Sequence, residues 1–322
     1  LLKDGEAVSQ LEAGEEGCVI TNTTPFYGEA GGQVGDTGTL TGPSTTFQVT
    51  DTQKPVEGLI AHLGKVAGGP IAIGDTLEQT VNADRRDKIR LNHTATHLLH
   101  AALQTVLGEH VMQKGSMVND ERLRFDFSHH KAVSREELSQ IEAMVYAEVL
   151  RNQAVGTEEC SMEEATAKGA MALFGEKYGD DVRVVDVPGF STELCGGTHA
   201  RRTGDIGLFR ITSESSVAAG VRRIEAETGM GAAQSLRAQD NAIAEAASLL
   251  RARPDQMAEA IQRIMDERKR LNGELEQLKR DMARQQSGDL TEQAREIDGI
   301  KVLSAEVSVD AKTLRDEADR LR

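Results

Sequence analysis

The 322-residue sequence has no Trp, only 3 Tyr and 7 Phe, 3 Cys and 6 Pro. With so few aromatic rings, its cores must rest on Leu, Ile, Val, Met and Ala. The cysteines Cys18, Cys160 and Cys195 are odd in number and widely spaced, which excludes a disulfide framework. They fit a reducing, cytoplasmic setting in which a thiol serves packing or metal binding. No apolar run approaches the ~20 residues that a membrane helix needs. The opening, with Lys3, Asp4 and Glu6 close behind Leu1, is unlike a secretory signal. A first residue other than Met suggests a piece of a longer chain. Positive charge is also short: 37 Lys+Arg stand against 52 Asp+Glu, a net −15. That balance argues against gripping nucleic acid by bulk charge and leaves room only for a local basic groove.

What is there reads as an α+β protein of about two domains' length. Residues 1–82 are β-rich and are expected to form a barrel-like part. Short stretches such as Cys18-Val19-Ile20 and Phe47-Gln48-Val49 alternate with Gly, Thr, Asp and Pro clusters. The glycine-rich run Gly28 to Gly38 lacks the ending of a phosphate-binding loop and the spacing of a dinucleotide fingerprint. It is either a set of β-turns or a tight loop where backbone approaches a ligand. Residues 83–230 mix helices and strands. Leu91, Ala95, Leu98, Leu99, Ala102, Leu103 and Val106 recur at helical spacing before a stop at Gly108. Ser134 with Glu137 three residues on marks the start of a second helix running to about Asn152. Strands are expected over Val182–Val187, Ile206–Ile211 and Val221–Ala226.

Residues 231–296 read as a helical hairpin. Met257, Ile261, Ile264, Leu271, Leu275, Leu278 and Met282 form a coiled-coil stripe. An antiparallel partner helix would carry Leu236, Ile243, Ala247 and Leu250 and break near Pro254. This region could support a homo-oligomer. From Ile300 a strand begins a further unit, 297–322, which the chain end cuts short.

The chemistry is concentrated in two segments. Asn92-His93-Thr94-Ala95-Thr96-His97 places two imidazoles at i and i+4 of the first helix, pointing the same way, as two ligands of one metal require. The position after His93 is Thr94 and not Glu, so the general base of an H-E-x-x-H metallopeptidase is missing. About a hundred residues later, Cys195-Gly196-Gly197-Thr198-His199 can wrap a sulfur and a nitrogen around one ion, because glycines permit the sharp turns. Three nitrogens and a sulfur suit one tetrahedral Zn²⁺, which would ionise the thiol. Cys18 and Cys160 have no such company and read as core residues. His100 lies off the ligand face, and His129-His130 read as surface.

Taken together, several motifs resemble the editing half of bacterial alanyl-tRNA synthetases. They are Thr24-Pro25-Phe26-Tyr27 with Gly31-Gly32-Gln33, His93-Thr94-Ala95-Thr96-His97, Gln113-Lys114-Gly115-Ser116, Cys195-Gly196-Gly197-Thr198-His199 and Gly220-Val221-Arg222-Arg223-Ile224-Glu225. Free-standing alanyl-tRNA editing proteins share the metal motifs, and the tail after residue 230 is what favours the synthetase. The resemblance implies hydrolysis of tRNA(Ala) mischarged with serine or glycine, near a zinc ion held by His93, His97, Cys195 and His199. A pocket built for alanine discriminates poorly against one extra hydroxyl or a smaller side chain, so a second site is needed. The resemblance further implies that Gln113 helps place the substrate and that Thr24 recognises the serine hydroxyl. Aminoacylation with ATP and Mg²⁺ would belong to a part of the parent protein outside this sequence. Contacts to tRNA must come from local basic clusters. Arg201, Arg202, Arg222 and Arg223 are the candidates, with Arg201 and Arg202 next to the ligands, whereas Arg85, Arg86, Lys88 and Arg90 read as a solvated helix face. The rival from another class is a zinc-stabilised module that binds tRNA or dimerises without catalysis.

Overall fold

The computed structural model describes residues 1–171, 179–291, 294–304, 306 and 315. The chain divides into two compact units, Leu1–Arg237 and Ala238–Arg322.

In the first unit, residues 1–82 build a seven-stranded antiparallel sheet. Its order is Glu6–Ala7, Leu2–Lys3, Glu16–Val19, Leu59–Gly68, Thr45–Val56, Gly38–Thr41, Glu78–Val81. The two outer strands do not pair with each other, so the sheet curls around a core without closing into a barrel. That core is aliphatic apart from Phe26 and Phe47, with Leu11, Val19, Leu40, Val49, Val66 and Ile71 buried. The alternation of buried and exposed residues along Thr45–Val49 is the period-2 pattern of a half-buried strand.

The helix α1 (Ala83–Leu107) follows at once. The Asn82 side chain caps it by accepting from the Arg85 N–H, and Gly108 ends it at φ 114°, a conformation that only glycine adopts readily. The next helix, α2 (Arg135–Arg151), opens with a full capping box between Ser134 and Glu137 and closes on Asn152 in the left-handed region. These two helices cover one face of a four-stranded antiparallel sheet ordered Gln113–Val118, Leu123–Ser128, Val221–Thr228, Phe209–Ala218. Leu98, Leu99, Leu103, Phe125, Phe127, Ile141 and Val145 are fully buried between them. A three-stranded sheet, Gly156–Ser161, Asp181–Val187 and Ser191–Leu194, packs beside a short helix, α3 (Met162–Ala167). The strand expected over Ile206–Ile211 starts later. A 3-10 turn occupies Thr203–Ile206, Gly207 breaks it at φ 64°, and the strand runs Phe209–Ala218.

The basic cluster of Arg85, Arg86, Lys88 and Arg90 lies in the first turns of α1 itself and is not a solvated face throughout. The Arg86 guanidinium donates to both carboxylate oxygens of buried Asp36 and to the Pro25 carbonyl. Arg85 donates to the Gly35 carbonyl and to Asp120. These bonds pin the glycine-rich run against the start of α1.

The helix α4 (Gly229–Leu249) leads from the first unit into the second, where α5 (Met257–Thr291) follows a turn at Pro254–Gln256. The expected apolar stripe is present on α5, but Ile264, Leu271, Leu275, Leu278 and Met282 are exposed. No antiparallel helix covers that stripe among the described residues; Ala247 and Ala260, on either side of the turn, are the buried positions here. Arg295–Ile297 and Ile300–Val302 pair as a small hairpin. Most of the further unit expected over 297–322 lies outside the described residues.

Candidate metal centre

The four donors anticipated from the two motifs meet. His93, His97, Cys195 and His199 each offer an atom, and these four atoms lie within 4.8 Å of one another. Cys195 Sγ is 3.4 Å from Nε2 of both His93 and His199. That separation is about the edge of a tetrahedron with bonds of ~2.0–2.3 Å, the dimensions of a zinc site. On α1 the His93 and His97 rings stack at 5.3 Å and 16°, as the i, i+4 spacing dictates. His97 Nε2 is buried without a hydrogen-bond partner. An orphaned imidazole nitrogen facing a thiol and two further imidazoles is what a cation would satisfy, so the residues present fit a metal ion.

Each imidazole is oriented from behind through its other nitrogen. His93 Nδ1 meets the Gln33 side-chain oxygen at 2.7 Å, His97 Nδ1 meets Glu193 at 2.7 Å, and His199 Nδ1 meets the Thr94 hydroxyl at 3.2 Å. Gln33 and Glu193 offer acceptors there, so Nδ1 carries the proton and Nε2 keeps its lone pair for the centre. The orientation of the Gln33 amide is fixed independently. Its oxygen accepts the Thr198 N–H at 2.9 Å and its nitrogen donates to the Thr198 hydroxyl at 3.0 Å.

Gln33 reaches this position because the Gly31-Gly32 turn, with φ of 57° and 81°, lays Gln33 and Val34 along the edge strand at Val118. A Cβ on Gly32 would sit 2.5 Å from the Ser116 carbonyl oxygen, so that turn tolerates no side chain. Within the glycine-rich run, Gly31-Gly32 is thus a β-turn, closed by the paired hydrogen bonds of Ala30 and Gln33, and it delivers the buried Gln33 amide to His93.

The Cys-x-x-x-His loop is held just as closely. Arg183 Nη1 donates to the carbonyls of Cys195 at 2.9 Å and Gly197 at 2.6 Å. The Gly197 N–H points at Cys195 Sγ, 3.4 Å away.

The electrostatics suit a cation. Without an ion, burial opposes ionisation of Cys195, but the charges of His93 and His97 and hydrogen bonds from His199 and His93 hold its thiol well below its ordinary value; a cation at the centre would replace those protons. Burial likewise opposes the Glu193 carboxylate, and His97 and His100 hold it well below the carboxylate range. Without an ion, burial works against a charged His97, yet Glu193 and Cys195 keep it well above the usual imidazole value, so a cation would take the place of the proton on Nε2. Burial and the neighbouring His93 push His199 down to about 3, so it is neutral and ready to ligate.

The other anticipated residues are placed as follows. Thr24 is bonded to His62 and not to any of the four donors. Its hydroxyl lies 2.8 Å from His62 Nε2 and accepts the Phe26 N–H at 3.1 Å. His62 Nδ1 sits 2.8 Å from the Val19 carbonyl, and burial lowers the imidazole pKa. The ring is thus neutral and takes the threonine proton. Gln113 begins the edge strand Gln113–Val118, opposite Phe127, half-buried and next to a bulge. Arg222 forms a two-pronged ion pair with Glu214, and Arg223 another with Asp126. Arg202 is bonded to the side chain and carbonyl of Asn152. Arg201 is exposed beside His199.

Two supporting residues were not singled out from the sequence as site residues, Gln33 and Glu193. Glu193 carried a signal, an acid two positions ahead of a candidate ligand in an otherwise uncharged strand. Also unforeseen, His129 is buried against Phe127 and bonded to His110, not on the surface.

Two family matches accompany this geometry. Residues 1–85 match the family described as tRNA synthetases class II (A). Residues 182–225, which contain Cys195 and His199, match the threonyl and alanyl tRNA synthetase second additional domain. The class they define is that of aminoacyl-tRNA synthetase sequences carrying an editing-type domain. Within it, the two matches together fit a fragment of an alanyl-tRNA synthetase. No helix among the described residues is long and apolar enough to cross a membrane.

Proposed function

We propose that this chain removes wrongly attached serine or glycine from tRNA(Ala), hydrolysing the aminoacyl ester beside a zinc ion held by His93, His97, Cys195 and His199. The observation that carries the reading is the convergence of these four donors, each imidazole fixed by its own partner, within a chain matching alanyl and threonyl synthetase sequence. When bound, the ion would polarise an ester carbonyl or organise the donors around it.

In the hydrolysis, water adds to the acyl carbon and the bond to the terminal ribose oxygen breaks. The products are the free amino acid and the tRNA hydroxyl. The protein's own part is positional. Gln33 and Glu193 hold the Nδ1 protons of His93 and His97, and the Gly197 N–H supports the thiolate. Gln113 is proposed to place the substrate. Thr24 is proposed to read the serine side chain; its proton is directed to His62, so its oxygen would serve as an acceptor for a serine O–H. A serine hydroxyl gains that bond and an unsubstituted side chain does not, which is how a polar site discriminates.

The test is release of serine from Ser-tRNA(Ala) by the full chain, with metal content measured on the same preparation. Wild type should deacylate, and Cys195→Ala should lose the activity and the ion while keeping its helical content.

A second reading has its own observation, the closed count of four protein donors, which is the habit of structural zinc. If wild type binds the tRNA and never releases serine above background, the chain is a zinc-stabilised RNA-binding module. A free-standing editing protein is the other alternative. Ligase activity with ATP and Mg²⁺ is proposed only for a longer parent chain, and self-association only through the exposed stripe of α5.

A further inference from the structure

His100 is a third imidazole of α1, one turn beyond His97, and it is not among the four donors. It is 4% exposed, with its ring tilted against that of Phe125 at 5.1 Å between centroids. Its Nδ1 lies 3.1 Å from Glu193 Oε1, and its Nε2 is buried without a hydrogen-bond partner. An ionised carboxylate can only accept, so Nδ1 carries the proton and donates it to Glu193. Burying a polar ring with one nitrogen unsatisfied costs free energy, and the bond to Glu193 is what the position gains in return.

Glu193 arrives from the opposite element, the strand Ser191–Leu194, and is 2% exposed. Its two oxygens have separate partners. Oε2 accepts from His97 at 2.7 Å, whereas Oε1 accepts from His100 at 3.1 Å and from the Ser191 hydroxyl at 3.3 Å. The last torsion of a glutamate is broad, so a carboxylate with one free oxygen can swing. With Oε1 held, Oε2 stays behind His97. The clamp also reaches the second pair of donors. Glu193 precedes Cys195 by two positions, so tying its side chain to two imidazoles of one helical turn fixes where the strand releases the loop.

We infer that His100 is a positioning residue of the metal centre: through Glu193 it orients His97 and registers the strand leading to Cys195 against α1. This rests on the four donors holding an ion and is independent of any ester hydrolysis. A purely electronic role has the opposite sign. A donor on Oε1 draws on the charge that His97 also uses, so its removal would strengthen the His97 bond and tighten metal binding.

The experiment measures Zn²⁺ affinity of the full chain by competition with a chromogenic chelator. His100→Leu, of similar volume and without a donor, should lower affinity about tenfold, the low end of the loss when a ligating histidine's outer partner is removed. His100→Met, whose flexible chain adapts to the same space, is the second donor-free variant and should match it. His100→Asn sets an amide N–H where Nδ1 stood and should remain within about twofold of wild type. In a Glu193→Ala background, His100→Leu should change affinity by less than about twofold, because its effect passes through the carboxylate.

Zinc binding by both donor-free variants that equals or exceeds wild type overturns the inference and leaves the four-donor site standing. So does a loss that Asn fails to repair, or one that persists without the Glu193 carboxylate, since a packing role alone gives both. Failure of wild type to bind zinc stoichiometrically removes the four-donor reading itself, and the inference with it.

Discussion

Replacing Gln33 with Leu tests the claim that the glycine-rich run belongs to the metal centre. The side chain is fully buried, and its single oxygen accepts from His93 Nδ1 and from the Thr198 backbone N–H. Leucine has a similar volume, so the substitution leaves little cavity. What it removes is the acceptor. Two buried donors then have no partner, and each such loss costs about 1–3 kcal/mol. The sum is about 2–6 kcal/mol, an upper range because His93 can rotate to seek another partner.

The effect on the ion is separable from the effect on the fold. Loss of an outer partner of a ligating histidine typically lowers metal affinity by about 10–100-fold, or about 1.4–2.7 kcal/mol. Competition against a chromogenic chelator at pH 7.5 reads the first quantity, and urea unfolding in chelator reads the second. The control is Gln53→Leu, also near the glycine-rich run but bonded to Glu29 and Asp51 and not to any ligand. It should leave zinc affinity within twofold of wild type. If Gln33→Leu also retains wild-type affinity, the orientation of His93 by Gln33 does no work and the reasoning fails.

Two other outcomes follow from the same geometry. Gly197→Ala should abolish stoichiometric metal binding in metal analysis of the purified protein, because a Cβ there would lie 2.1 Å from His93 Cε1 and 2.5 Å from its Nδ1. Glu193, whose pKa is depressed in the fold, contributes stability that is full above its ordinary value of 4.5 and declines as pH falls below it. Urea midpoints of the metal-free protein should therefore drop more steeply below about pH 4.5 for wild type than for Glu193→Gln, and parallel profiles would refute that role.

Much of the local structure was legible because it is set by neighbours in sequence. The apolar spacing of Leu91 to Val106 and the glycine at position 108 define α1, and Ser134 with Glu137 defines the start of α2. The convergence of the four donors was legible for a related reason: His93 and His97 share a helical face, and the glycines between Cys195 and His199 permit a tight loop. Other features depend on tertiary contacts that no local pattern encodes. Gln33 becomes buried only after the Gly31-Gly32 turn pairs with Val118, 85 residues away in the chain. Arg85 and Arg86 resemble a solvated face until Asp36 and the Gly35 carbonyl arrive from the sheet. The stripe on α5 has the period of a buried seam, yet it stands exposed, since periodicity shows that a face is apolar and not what covers it.

The support of the centre explains why its parts are spread over both halves of the first unit. Two of the four donors ride on one rigid helix, where their spacing is dictated by backbone hydrogen bonds. The other two sit on a loop that has no regular structure of its own, so its shape must be imposed from outside. Arg183 imposes it through the carbonyls of residues 195 and 197, and Gln33 imposes it through the N–H and hydroxyl of Thr198. Gln33 also holds His93, so one amide ties a helical donor to the loop that bears the other two. The N-terminal sheet is thereby a structural part of the centre: a protein beginning at Asn82 would keep all four donors and lose the group that registers them against each other.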